Sequence, residues 1–177
     1  VSLVEGMRAG YLNEPYKMMV AGSYESMTYA DAYYRTLALA YVLSDKWGIG
    51  SSSTVLFSAN NLVWYPVVLA ALQMLGARAV LVTGGAEAKD FDGIIGQLHP
   101  DLAIVACLEH DEVLQEMAPC VARASLNYTF KHTPRLEDLV VRAMNKGTFM
   151  DGPQVEDSEI VLFSSGSTGA PKAIVNR

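Results

Sequence analysis

The nine residues Ser164-Ser165-Gly166-Ser167-Thr168-Gly169-Ala170-Pro171-Lys172 hold three serines, one threonine, two glycines and one lysine. These types in this order suit the holding of phosphate. Glycine lets consecutive backbone N–H groups turn inward and form a concavity that accepts an anion. The hydroxyls of Ser164, Ser165, Ser167 and Thr168 can donate to phosphate oxygens, and Lys172 adds a compact positive charge. A charged hydrogen bond of this kind contributes about 1.5–3 kcal/mol. A flexible Ser/Gly linker would share the composition but have polar flanks. Here Leu162-Phe163 precede the segment and Ala173-Ile174-Val175 follow it, so the segment joins two buried strands and is positioned by them.

Two common phosphate-binding patterns fail. The Walker pattern needs Gly-Lys-Ser/Thr with the lysine opening a helix. Pro171 precedes Lys172, Ala173 follows, and a strand is predicted next. The dinucleotide pattern needs three glycines, and Gly166 and Gly169 stand three apart with no third. Other reactive residues are sparse. Cys107 and Cys120 read as two reduced thiols of a cytoplasmic protein. His99, His110 and His132 have no ligand spacing with each other or with the cysteines, so no metal site is expected among them. Tyr33, Tyr34, Trp64 and Tyr65 could form a ring-binding wall, but packing between helices accounts for them more simply.

Composition narrows the partners. The net charge is −6, with no basic stripe, which argues against nucleic acid. It does not argue against a nucleotide, because a phosphate loop binds mainly through backbone N–H groups. No run of about 18 apolar residues occurs, so no membrane span is expected. Leu62 to Leu75 is the longest such stretch, and Gln73 interrupts it. Glu5 and Arg8 break up any signal-peptide core. The chain opens on Val1 and not on Met, which suggests a trimmed start or a longer parent.

The elements that must position the loop follow from periodicity. Met27 to Lys46 reads as an amphipathic helix with a Thr28/Asp31 capping box, ended by Gly48 and Gly50. Thr54–Phe57, Ala79–Val82, Leu102–Ala106 and Ile160–Phe163 are apolar throughout, as strands buried on both faces are. Between them lie predicted helices: one to Leu75 capped by Asn60 or Asn61, one over Ala86–Leu98, and one over Asp111–Met117. Gly93 and Gly96 weaken the middle one. Ala122–Phe130 is predicted as a further strand. Thr133 as N-cap and Pro134 as first residue open a helix to Lys146. Residues 146–158 read as an internal loop, and Ala173–Val175 as a last strand. Strands alternating with helices imply an α/β fold with a mostly parallel sheet and helices on both faces.

The residues Phe163-Ser164-Ser165-Gly166-Ser167-Thr168-Gly169-Ala170-Pro171-Lys172 resemble the Tyr/Phe-Thr-Ser-Gly-Ser-Thr-Gly-x-Pro-Lys-Gly motif of adenylate-forming enzymes. That superfamily includes acyl- and aryl-CoA synthetases, adenylation domains of nonribosomal peptide synthetases, and luciferases. Ser164 replaces the usual Thr and keeps the hydroxyl. Ala173 replaces the usual Gly and adds a methyl group. Upstream, Met27-Thr28-Tyr29-Ala30-Asp31 looks like the start of the family's early helix. Asn60 through Leu81 resembles its next helix and strand, with Trp64-Tyr65-Pro66 where the family has an acidic-aromatic pair. Ser158-Glu159-Ile160 looks like its polar entry to the loop strand.

The resemblance implies an N-terminal subdomain, over residues 1–177, of an enzyme that joins ATP and a carboxylic acid as acyl-AMP. The acyl group then passes to CoA or to the phosphopantetheine thiol of an acyl or peptidyl carrier protein. It assigns Ser164, Ser165, Gly166, Ser167, Thr168, Gly169 and Lys172 to the ATP phosphates, with Mg²⁺ accompanying ATP. It places the catalytic residues downstream of Arg177, so residues 1–177 alone are expected to be inactive. Two alternatives are a non-catalytic nucleotide- or phosphate-binding α/β module, and an α/β interaction domain whose loop binds nothing.

Overall fold

A computed structural model of the chain describes residues 2–60, 62–152 and 158–163. Its first helix, α1 (Leu3–Asn13), is not anticipated above. Ser2 caps it, the Ser2 hydroxyl accepting from the Glu5 N–H and the Glu5 carboxylate accepting from the Ser2 N–H. Ser-x-x-Glu is the sequence signature of that box. A short hairpin follows, β1 (Met18–Ala21) antiparallel to β2 (Ser26–Thr28), closed by the Gly22 N–H on the Glu25 carbonyl at 2.7 Å. Helix α2 (Tyr29–Trp47) starts at the expected box: Thr28 Oγ1 accepts from the Asp31 N–H and the Asp31 carboxylate accepts from the Thr28 N–H, both at 3.1 Å. Gly48 ends it with φ 65°.

The remaining elements alternate: β3 (Thr54–Ser58), α3 (Tyr65–Met74), β4 (Arg78–Val82), α4 (Ala88–Leu98), β5 (Leu102–Val105), α5 (Leu108–Met117), β6 (Ala122–Ser125), α6 (Leu136–Asn145) and β7 (Ile160–Phe163). Five strands form one sheet in the order β6-β5-β3-β4-β7, every pair parallel. The α/β expectation of a parallel sheet with helices on both faces is therefore met.

The two faces follow from one rule, that parallel crossovers share a right hand. The chain moves one way from β3 to β4 and from β6 to β7, and α3 and α6 lie on one face. It moves the other way from β4 to β5 and from β5 to β6, and α4 and α5 lie on the opposite face. Residues of each strand divide accordingly. Val55, Phe57, Ala79, Leu102 and Ile104 pack with α1, α2, α3 and α6. Leu56, Val80, Val82, Ala103 and Val105 pack with Phe91 and Ile94 of α4 and Leu114 of α5.

Four boundaries differ from expectation, each for a local reason. Asn60 does not cap α3. Its Oδ1 accepts from the Gly84 N–H at 2.9 Å, and the helix starts four residues later behind Trp64, with Pro66 in its first turn. Asn61, the alternative cap, lies outside the described residues. Helix α5 begins at Leu108, three residues before Asp111. Strand β6 stops at Ser125 because Asn127 adopts φ 74°, which no strand tolerates, with its N–H on Glu137 Oε2 at 2.7 Å. Thr133 and Pro134 do not open α6. The Pro134 carbonyl accepts from the Ser125 N–H at 2.8 Å, and this extended stretch beside β6 delays the helix to Leu136 behind Arg135.

In the predicted 146–158 loop, residues 146–152 are neither helix nor strand. Gly147 has φ 68°, and Met150 is tied to α2 by its N–H on the Leu37 carbonyl. The predicted strand Ala173–Val175 lies outside the described residues.

Candidate functional site

Ser164, Ser165, Gly166, Ser167, Thr168, Gly169 and Lys172 all lie outside the described residues. The structure describes what leads to them. Strand β7 pairs with β4 from Ala79↔Ile160 to Val82↔Phe163. Phe163, the residue before Ser164, therefore ends level with Val82 at the carboxyl edge of a parallel sheet. Ligands of open α/β sheets bind outside that edge. The amino ends of β4 and β7 are held by Arg78 Nε on Glu159 Oε2 at 3.0 Å, and the Ala79 N–H donates to the Glu159 carbonyl at 2.9 Å. These bonds fix the register that brings Phe163 to the edge.

The edge is tied together by polar side chains that the apolar strands deliver to their ends. Ser58 ends β3 and is fully buried. Its Oγ hydrogen-bonds His110 Nδ1, and His110 Nε2 reaches the Ala86 carbonyl at 3.0 Å. A carbonyl can only accept, so Nε2–H donates to it, and in the neutral ring Nδ1 then accepts from the serine. The Phe91 ring stands edge-on to the imidazole at 4.8 Å between centroids. The Ala59 N–H donates to the Val82 carbonyl at 3.1 Å. The end of β4 and the turn after it are thus bonded to the residues just past β3 at Val82 and Gly84, and to α5 at Ala86.

Asp111, next to His110, ties α5 to β6. Its Oδ1 lies 3.1 Å from Arg123 Nε, and Thr133 Oγ1 lies 3.5 Å from both carboxylate oxygens. Burial pushes the Asp111 carboxyl above its ordinary value of 3.8, against the opposite pull of Arg123 and the Thr133 hydroxyl. On the other face, an uncharged cleft of about 480 Å³ opens between β1 and the start of α3, lined by Val20, Gly22, Ser23, Leu62, Val63 and Tyr65. Burial raises the Tyr65 hydroxyl above its ordinary value of 10.0.

The aromatic residues weighed as a ring-binding wall are split. Tyr33 and Trp64 are buried, and Trp64 donates its indole N–H to Glu25 at 3.2 Å while Arg35 covers its ring. Tyr34 meets Tyr11, hydroxyl to hydroxyl at 2.8 Å, a bond that raises its pKa above 10.0 together with burial and the neighbouring tyrosines. These are packing roles. Cys107 and Cys120 are free thiols. Among the described residues no three His, Cys, Asp or Glu side chains gather as a metal site. They offer Mg²⁺ no cage. No described helix is long and apolar enough to cross a membrane.

Sequence reasoning missed the Ser58–His110–Ala86 tie. His110 stood out only as a non-ligand, and nothing local marks its partners, which lie 52 and 24 positions away.

The class of fold is a parallel α/β layer whose edge strand is followed in sequence by a Gly/Ser/Thr/Lys segment. The chain belongs to the family of AMP-binding enzymes, whose pattern matches residues 11–176. The resemblance to adenylate-forming enzymes is borne out at that level. No curated protein matches the sequence.

Solved structures share the fold at low identity. VinN in complex with L-aspartate superposes with a TM-score of 0.83 at 18% identity, over 99% of this chain and 47% of that one. The anthranilate CoA ligase AuaEII in complex with anthranoyl-AMP gives 0.83 at 15%, over 99% and 34%. Apo MbtA of Mycobacterium smegmatis gives 0.78 at 22%, over 99% and 33%. Residues 1–177 thus span less than half the length of each of these chains.

Proposed function

We propose that residues 1–177 are the amino-terminal part of an ATP-dependent ligase that activates a carboxylic acid as its acyl-adenylate. The observation that carries this reading is the run Ser164 to Lys172 directly after β7, whose pairing with β4 brings Phe163 to the carboxyl edge. Ser164, Ser165, Ser167 and Thr168 donate hydroxyl hydrogen bonds to the β- and γ-phosphates. Gly166 and Gly169 leave room for backbone N–H donors, and Lys172 balances charge.

The carboxylate oxygen of the acid attacks the α-phosphorus. An acyl–O–P bond forms, the bond to the bridging oxygen breaks, and pyrophosphate leaves. A thiolate, of CoA or of a carrier-protein phosphopantetheine, then attacks the acyl carbonyl and AMP leaves. The role of this chain is to hold and neutralise the departing pyrophosphate. The acid pocket and the catalytic residues are supplied by sequence outside residues 1–177, so these residues alone release no pyrophosphate. Mg²⁺ accompanies ATP.

The test is acid-dependent ATP–pyrophosphate exchange by the protein that carries this chain, screened over amino, aryl and fatty acids. At least one acid drives exchange, and Lys172→Ala lowers kcat/KM for ATP by about tenfold to a hundredfold. Calorimetric binding of Mg-ATP with no exchange for any acid overturns the ligase reading and favours a nucleotide-binding module.

A further inference from the structure

His110 is buried, is bonded through both ring nitrogens, and belongs to neither the phosphate segment nor the acid chemistry. Its partners belong to different elements. Ser58 is the last residue of β3, and Ala86 lies in the turn that joins β4 to α4. The histidine itself stands in the first turn of α5, and Phe91 of α4 fixes its ring plane. One imidazole therefore joins β3, α5 and the β4–α4 turn at the carboxyl edge, the edge at which Phe163 ends beside Val82.

His110 spans two polar groups that have no other side-chain partner among the described residues. The Ala86 carbonyl is bonded by the histidine, and the Ser58 hydroxyl points at Nδ1. The same turn is bonded independently at Gly84 by Asn60, where an added Cβ would approach Asn60 Cγ to 2.9 Å. The turn is therefore held from below by His110 and from the β3 side by Asn60. Residue 111 continues the brace to β6 through Arg123 and Thr133, so the first turn of α5 spans the edge from β4 to β6.

We propose that His110 is a positioning residue for nucleotide binding. By fixing the β4–α4 turn and the end of β3, it sets the place of the last β4–β7 pair, and so the affinity of the enzyme for ATP. This rests on the ligase reading above. His110 touches no substrate. It acts through the Ser58 hydroxyl and the Ala86 carbonyl.

The experiment compares wild type, His110→Leu, His110→Gln and Ser58→Ala in the protein that carries this chain. Mg-ATP affinity is read by calorimetry, and separate KM values for ATP and for the acid are read by pyrophosphate exchange. Loss of a geometric constraint of this size weakens ATP by roughly tenfold in His110→Leu. Glutamine can place an amide N–H where Nε2–H stood, so His110→Gln recovers most of the affinity. Ser58→Ala removes a small buried hydroxyl, so it keeps the fold if the leucine variant does not, and it weakens ATP by roughly threefold. The acid KM stays at the wild-type value in all three.

Variants that lose thermal stability or kcat but keep wild-type ATP affinity overturn the proposal, because a purely structural histidine gives that pattern. Equal weakening of ATP and acid overturns it as well. Absence of exchange in wild type overturns the ligase reading instead. The ratio of variant to wild-type ATP affinity by calorimetry then still decides the role of His110, and a wild type that binds no ATP overturns both.

Discussion

Two glycines of α1 separate helix propensity from packing. Gly6 and Gly10 both lie inside the helix, one turn apart. Replacing a helical glycine by alanine stabilises by about 0.5–1 kcal/mol through backbone entropy and shielding. At Gly6 an added Cβ meets no heavy atom within 4 Å, so the whole gain is realised. At Gly10 the same Cβ overlaps the Tyr29 ring at Cγ, Cδ1 and Cε1, the ring root and one edge, which cannot swing away as a chain end can. Forcing an extra methyl into such a contact costs about 1–3 kcal/mol. The clash exceeds the propensity gain, and Gly10→Ala is destabilising by about 0.5–2 kcal/mol after that gain is subtracted. For a chain of this size each kcal/mol moves Tm by about 2–4 °C. Urea unfolding followed by circular dichroism, with unchanged m values, reads both variants against wild type. If Gly10→Ala stabilises as much as Gly6→Ala, the close packing of α1 on the start of α2 is wrong.

Thr28→Ala removes one half of the α2 capping box, and a loss of about 1 kcal/mol is expected in the same assay. An unchanged midpoint would show that Asp31 holds the helix start alone. Burial makes the Asp111 carboxyl bind its proton more tightly folded than unfolded. Its stabilising contribution is therefore fully present below the ordinary value of 3.8 and is lost as pH rises through the raised folded value. The difference in unfolding free energy, wild type minus Asp111→Asn, should fall with rising pH across that window. A rising difference would mean that Arg123 outweighs burial.

The parallel sheet was readable because β3, β4 and β5 carry apolar runs that only two covered faces can bury; β7 carries one too, but it was expected to be buried and instead lies at the sheet edge with Leu162 exposed. Helix α2 was readable because its signals are all local: a capping box, a 3.6-residue stripe and a terminal glycine. Helix α1 carried an equally local signal in Ser2 and Glu5, and it was missed because Gly6 and Gly10 depress its propensity. The errors at Asn60 and Thr133 share a cause. Each is a good capping residue whose side chain is claimed by a partner distant in sequence, Gly84 for one and Asp111 for the other, and local rules cannot see that competition. The residue types of Ser164 to Lys172 point to phosphate chemistry, and those residues lie outside the described ones. The polar carboxyl edge was not legible, because Ser58, Ala86 and His110 acquire meaning only once two crossovers bring them together.

The sheet is not assembled in the order in which it is read. Arg78 and Glu159, which clasp the starts of β4 and β7, stand 81 positions apart, whereas Thr54 and Asp101 join β3 to β5 across 47. Closing the longer loop costs more chain entropy, and it can be repaid only after α6 has been laid over the sheet. In chain order β3, β4, β5 and β6 are complete before β7, so they can pair first. Among the described strands the β4–β7 pair, and with it the placing of Phe163 at the carboxyl edge, is therefore the last to close.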